Sequence, residues 1–79
     1  MKILLFAGLK DSMECESIDL DVLNQSVGQI KQFLIEQHPS STGLIERSHV
    51  AVDQNYVGND FLFEIEPKEI AIIPPVSGG

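Results

Sequence analysis

Ser26-Val27-Gly28-Gln29-Ile30-Lys31-Gln32-Phe33-Leu34-Ile35-Glu36-Gln37-His38 is the one long helical signal in this chain, and its place among the strand-like runs decides the fold. Ser26 is a side-chain cap for free amides, and Gln29, three residues on, completes a capping box. Val27, Ile30, Phe33 and Leu34 follow at i, i+3, i+6 and i+7 and are assigned to the buried face, with Lys31, Gln32, Ile35 and Glu36 mostly off it. Gly28 in the first turn is a small cost to helix formation. Pro39 disfavours helical geometry in the residue before it, so the helix is predicted to end near His38.

On the N-terminal side, Lys2 to Leu9 is an apolar run of strand length and Asp11-Ser12-Met13-Glu14 reads as a polar turn. Cys15-Glu16-Ser17-Ile18-Asp19-Leu20 alternates polar with apolar, as a half-buried strand does. Together these predict a β-hairpin with a longish loop. On the C-terminal side, 39–43 is a loop and Leu44-Ile45-Glu46-Arg47 a possible helical turn. Val50-Ala51-Val52-Asp53 is a short strand, Gln54-Asn55 a two-residue turn before Tyr56-Val57, and Gly58-Asn59-Asp60 another turn. Phe61 to Ile65 is apolar and either extended or irregular. Ile70 to Ile73 is the last strand, and Pro74-Pro75 end its pairing because neither has an amide hydrogen to donate.

The order is β-β-α-β-β-β, with no internal repeat, linker or low-complexity segment. One helix across a mixed sheet in this order is the β-grasp, or ubiquitin-like, arrangement. It is an α+β fold with the first and last strands parallel and central. The predicted organisation is one domain over 1–75 and an extended diglycine tail over 76–79.

Both central strands are apolar on both faces. Ile3, Leu5 and Ala7 oppose Leu4 and Phe6, and Ile70 and Ile72 oppose Ala71 and Ile73. Strands buried on both sides read this way, yet one helix covers only one face. The other face is either covered by the loop 39–49 or left as an apolar patch for a protein partner. Phe6 and Ile73, with Tyr56 nearby, are predicted to belong to that partner-binding face.

The chain has 79 residues, 43% of them hydrophobic, enough for one core and too few for a large catalytic cleft. Twelve acidic against five basic residues give a net charge of −7. That disfavours binding to nucleic acid or to an anionic membrane surface. It suits solubility, and equally steering toward a basic protein partner. Cys15 is the single cysteine, so no internal disulfide forms. The apolar start is too short for a signal peptide, and no run is long enough to span a bilayer. A cytoplasmic chain is expected.

Side-chain chemistry is sparse. There is no Ser-His-Asp set and no phosphate-cradling loop, and His38 and His49 have no partner at metal-ligand spacing, so no metal site is expected. Glu64, Glu66 and Glu69 read as a solvated acidic edge. The remaining reactive group is the end of the chain. Gly78-Gly79 have no side chains and can enter a slot too narrow for other residues, presenting an unshielded main-chain carboxylate. Two terminal glycines arise by chance roughly once in 200 chains; the competing reading is an inert tail of small residues. Pro74-Pro75 bias the tail to an extended conformer that loses less entropy on threading into a partner, with Val76 as an anchor and Ser77 as a small spacer.

Lys2-Ile3-Leu4-Leu5-Phe6-Ala7-Gly8, Val50-Ala51-Val52-Asp53-Gln54 and above all the ending Pro74-Pro75-Val76-Ser77-Gly78-Gly79 resemble the small subunit of molybdopterin synthase. The resemblance spans the whole chain. It implies a sulfur carrier, non-catalytic on its own and with no bound cofactor. An E1-like adenylating enzyme uses ATP to adenylate Gly79, which then becomes a thiocarboxylate, with Gly78 as its threading neighbour. The tail enters the large subunit of a heterotetramer, and sulfur passes to cyclic pyranopterin monophosphate in molybdenum cofactor biosynthesis. The family often has Asn at the position of Asp53 and an acidic Gly-Asp turn at Pro67-Lys68; both departures leave the tail untouched. The alternatives are a sulfur carrier for thiamin thiazole synthesis, which usually lacks the Pro-Pro pair, a ubiquitin-like protein modifier, and a plain interaction module.

Overall fold

The computed structural model describes residues 1–75. Strand β1 spans Lys2–Leu5, helix α1 Ala7–Met13, β2 Ser17–Asp19, α2 Val27–Gln37, α3 Thr42–Arg47, β3 His49–Val52, β4 Asn55–Val57 and β5 Ile70–Ile73. The sheet order is β2-β1-β5-β3-β4. β1 and β5 run parallel at the centre, with Ile3 opposite Ile70 and Leu5 opposite Ile72, and every other pairing is antiparallel. This is the β-grasp arrangement that the element order predicts.

The first correction lies in the hairpin. The strand stops at Leu5, and the stretch predicted as strand end plus polar turn is helix α1. Leu9 and Met13 are both buried at helical i, i+4 spacing, which the apolar start of the chain masks in sequence. Ala7, at φ 51°, turns the chain out of the sheet, and Glu14, at φ 58°, closes the helix in the left-handed conformation, its amide donating to the carbonyls of Asp11 and Lys10. β2 is shorter than predicted, although backbone bonds from Leu5 to Glu16 and from Leu20 to Met1 extend its pairing at both ends.

α2 carries its capping box in full. The Gln29 amide donates to Ser26 Oγ at 3.1 Å, and the Ser26 amide donates to Gln29 Oε1 at 2.7 Å. The helix ends at Gln37 with His38 as cap. Its buried residues are Val27, Ile30, Lys31 and Leu34, whereas Phe33 is exposed, contrary to prediction. At about 100° per residue, Phe33 lies about 120° round from Val27, outside the stripe that Ile30, Lys31 and Leu34 share with it. Lys31 replaces it, reaching across to donate to the Ser48 carbonyl at 2.8 Å.

A 3-10 turn at Pro39–Ser41 leads into α3, which packs against α2. Ile45 is fully buried in the same core as Ile3, Leu34, Ile70 and Ile72. The 39–49 segment therefore closes the helical side of the sheet and not the other face. The β3–β4 turn falls at Asp53-Gln54, one residue earlier than predicted. Both residues take positive φ, 49° and 70°, as a tight two-residue hairpin requires. Phe61 to Ile65 is irregular, with one isolated bridge between Ser26 and Leu62. It drives Phe63 into the core, edge-on to Phe61 at 5.1 Å.

Candidate functional site at the root of the C-terminal tail

Alternation along the strands sorts the side chains. Ile3, Leu5, Val50, Val52, Ile70 and Ile72 face the helices and are buried. Leu4, Ala51, Tyr56 and Ala71 occupy one row across the other face, because Leu4 pairs with Ala71, Ala71 with Ala51, and Ala51 with Tyr56. Ile73 pairs with His49 in the row nearest the tail.

Phe6 is not a strand residue; it caps α1, its carbonyl accepting from the Leu9 and Lys10 amides. Its backbone is still extended, at φ −127° and ψ 156°, so the alternation carries through and leaves it on the face of Leu4. Phe6 is 44% exposed and Tyr56 70% exposed, while Ile73 is half-buried. The structure thus brings the three predicted face residues to one side of the sheet, with no described element laid over them. Ala51 and Ala71 keep the middle of this face low. Lys2, Leu4, Phe6, Lys10 and Ser17 border an open groove of about 480 Å³ along β1 and β2.

His49, which has no partner at metal-ligand spacing in the sequence, is part of the same face. Its ring lies 5.6 Å from that of Tyr56, tilted by 49°. The available signal was the alternation in His49-Val50-Ala51-Val52, where the Val residues point to the core and the others do not.

Pro74 follows β5 directly and is buried, and Pro75 is half-buried. Neither has an amide hydrogen, so the β5 ladder cannot continue along β3 beyond the Ile73–His49 pair. The tail root is thereby fixed at the edge of the open apolar face. Val76, Ser77, Gly78 and Gly79, the remaining predicted site residues, lie outside the described residues, as does the predicted tail over 76–79. Among the described residues no three His, Cys, Asp or Glu side chains gather as metal ligands, and no helix is long and apolar enough to cross a membrane. Cys15 is a half-buried free thiol.

The chain resembles known proteins over its full length. The ThiS family model matches residues 3–79. The molybdopterin synthase sulfur carrier subunit of Dictyostelium discoideum is 41% identical over 81 residues, covering 99% of this chain and 94% of that one. The protein of the same name from Caenorhabditis briggsae is 36% identical over 52 residues, 65% of this chain and 62% of its own. Two solved structures share the fold. The crystal structure of SAMP1 from Haloferax volcanii has a TM-score of 0.72 at 23% identity, covering 99% of this chain and 97% of that one. The solution structure of the Haloferax volcanii HVO 2177 protein has a TM-score of 0.70 at 21% identity, covering 99% and 84%. A family match running from Ile3 through the diglycine, on a β-grasp sheet whose last strand ends at Pro74-Pro75, means that the chain belongs to the ThiS family.

Proposed function

We propose that this chain is the sulfur-carrier subunit of a molybdopterin synthase, working in the cytoplasm and holding no catalytic residues of its own. The observation that carries the reading is the similarity to a protein of that name over 99% of the chain, beside a family match that runs through the diglycine. The fold supports it, since β5 delivers its two prolines to the rim of an exposed apolar face. A partner seated on Phe6, Ile73 and Tyr56 receives the tail as it leaves that face. The apolar contact supplies affinity, and the proline pair limits the entropy lost on threading.

The chemistry belongs to the terminal carboxylate. In an E1-like enzyme a Gly79 carboxylate oxygen attacks the α-phosphorus of ATP and pyrophosphate leaves. Sulfide, supplied by a sulfur donor, then attacks the adenylate carbonyl carbon and AMP leaves, giving a thiocarboxylate on Gly79. Within the large subunit of a heterotetramer, with Gly78 lying in the narrow part of the channel, that sulfur passes to cyclic pyranopterin monophosphate. Water restores the carboxylate for the next round. The Pro74-Pro75 pair and the names of the curated relatives favour this over thiazole synthesis.

The test is the intact mass of the chain after incubation with ATP, magnesium, a sulfur donor and an extract of its own cells, beside a chain lacking Gly79. Exchange of one oxygen for one sulfur in the full chain alone is the expected result, and the loaded chain then supports molybdopterin formation by the large subunit. An unchanged mass in an extract proven competent overturns the reading. Conjugates of much higher mass would point instead to a protein modifier.

A further inference from the structure

The molecule carries a second exposed apolar patch, remote from the tail root. The segment 58–69 crosses the start of α2 before entering β5. The Val27 and Gly28 amides donate to the Phe61 and Asn59 carbonyls, and the Phe63 amide donates to Gln25, each at 2.9 Å. This anchoring buries Phe63 and turns its neighbours outward: Leu62 is 48% exposed and Ile65 78%. Leu23, 41% exposed, directly precedes Asn24, whose amide donates to the Phe63 carbonyl at 2.8 Å and ties this stretch to the 61–65 segment. A notch of about 250 Å³, lined by Val52, Phe61, Phe63 and Pro67, opens next to Leu62 and Ile65.

Charge identifies what fits there. Residues 53–69 hold Asp53, Asp60, Glu64, Glu66 and Glu69 against the single cation Lys68, and Asp21 stands next to Val22 and Leu23. Asp21, Asp60, Glu64 and Glu66 are exposed. Among the described residues the one ion pair, between the Met1 amino group and Asp19, lies elsewhere. A second copy of the chain is a poor occupant, because it brings the same net charge of −7 to an already acidic surface.

We propose that this patch docks a basic, amphipathic segment of a protein partner, its apolar side chains on Leu23, Leu62 and Ile65 and its Lys or Arg side chains toward the flanking carboxylates. The two surfaces lie on opposite sides of the sheet, since Val52, in the notch, faces the helices whereas Phe6, Tyr56 and Ile73 lie on the other face. The proposal holds whether or not the tail carries sulfur.

The experiment is a titration of the isotopically labelled full chain, followed by amide NMR shifts, with an amphipathic helical peptide built only of Leu and Lys. Shifts concentrated in residues 21–25 and 61–66 are expected. Ile65→Ser, at a site too exposed to unfold the chain, should weaken binding about tenfold or more, and Gln37→Ser, exposed at the far end of α2, should leave it unchanged. Shifts centred on Phe6, Tyr56 and Ile73 would overturn the proposal. So would unaltered affinity in Ile65→Ser. A loss of affinity in a Glu14→Lys, Glu16→Lys control equal to that in a Glu64→Lys, Glu66→Lys variant would show bulk charge attraction and overturn it as well.

Discussion

Asp53 joins two parts of the chain that are distant in sequence. It takes a φ of 49° in the β3–β4 turn, and its Oδ1 accepts from the Lys68 and Glu69 amides at 2.8 and 2.9 Å. Asn tolerates the same left-handed backbone and keeps an acceptor, so Asp53→Asn should retain most of the stability. Asp53→Ala loses both bonds and gains a φ penalty, a cost of about 2 kcal/mol. Urea unfolding of the two variants checks this, and equal midpoints would show that the clamp contributes nothing. Lys31 is the other residue whose environment matters. Burial lowers its pKa below the usual 10.5, and the Glu46 carboxylate partly offsets this. The unfolded chain therefore holds the Lys31 proton to higher pH than the folded one. Between the lowered value and 10.5 the unfolded state binds more protons, so this residue's contribution to stability rises with pH and is complete above 10.5. Lys31→Met should remove that alkaline rise, read as unfolding free energy against pH for both proteins. An identical slope in the two would assign the rise to other groups.

The start of α2 is where local sequence and long-range packing meet. Ser26→Ala breaks the capping box and should cost about 1 kcal/mol, measured as a lower thermal or urea midpoint. Gly28→Ala would ordinarily stabilise a helix by about 1 kcal/mol. Here a Cβ would stand 3.3 Å from the Asn59 carbonyl, which the Gly28 amide also holds at 2.9 Å. The substitution should yield no net gain, and a full gain would mean that the 58–63 segment yields freely. The capping box and the stop before Pro39 were legible because they depend on residues three or fewer apart. Helix α1 was not, because Leu9 continues the apolar run of β1 while Met13, its buried partner, stands among polar residues that read as a turn. Placing Phe33 in the core failed for a different reason: the spacing i+6 falls off the stripe that i+3, i+4 and i+7 define, and a lysine with a buried partner took the fourth position.

At the scale of the whole molecule one sheet face is covered by helices and the other is open, and substitutions should separate them. Ile72→Ala hollows the core between the sheet and the helices and should cost about 2–5 kcal/mol. Phe6→Asp and Tyr56→Asp should leave the unfolding midpoint nearly unchanged while abolishing affinity for the large subunit, measured by calorimetric titration. Retained affinity in a folded Phe6→Asp protein would remove the open face from the interaction. The sequence by itself determined the succession of strands, the main helix and the end of β5, each from periodicity, capping or proline stereochemistry within a short window of chain, and the β-grasp reading of that succession supplied the parallel central pair. That Phe6, Tyr56 and Ile73 share one side of the sheet was likewise legible, because alternation along the strands left these residues with no helix to cover them. Only the tertiary structure decided that the 39–49 segment packs on the helical side, that His49 joins Tyr56, and that Leu62 and Ile65 stand exposed beside a row of carboxylates. Those outcomes depend on which segments, distant along the chain, compete for the same buried space, and no local pattern encodes the result of that competition.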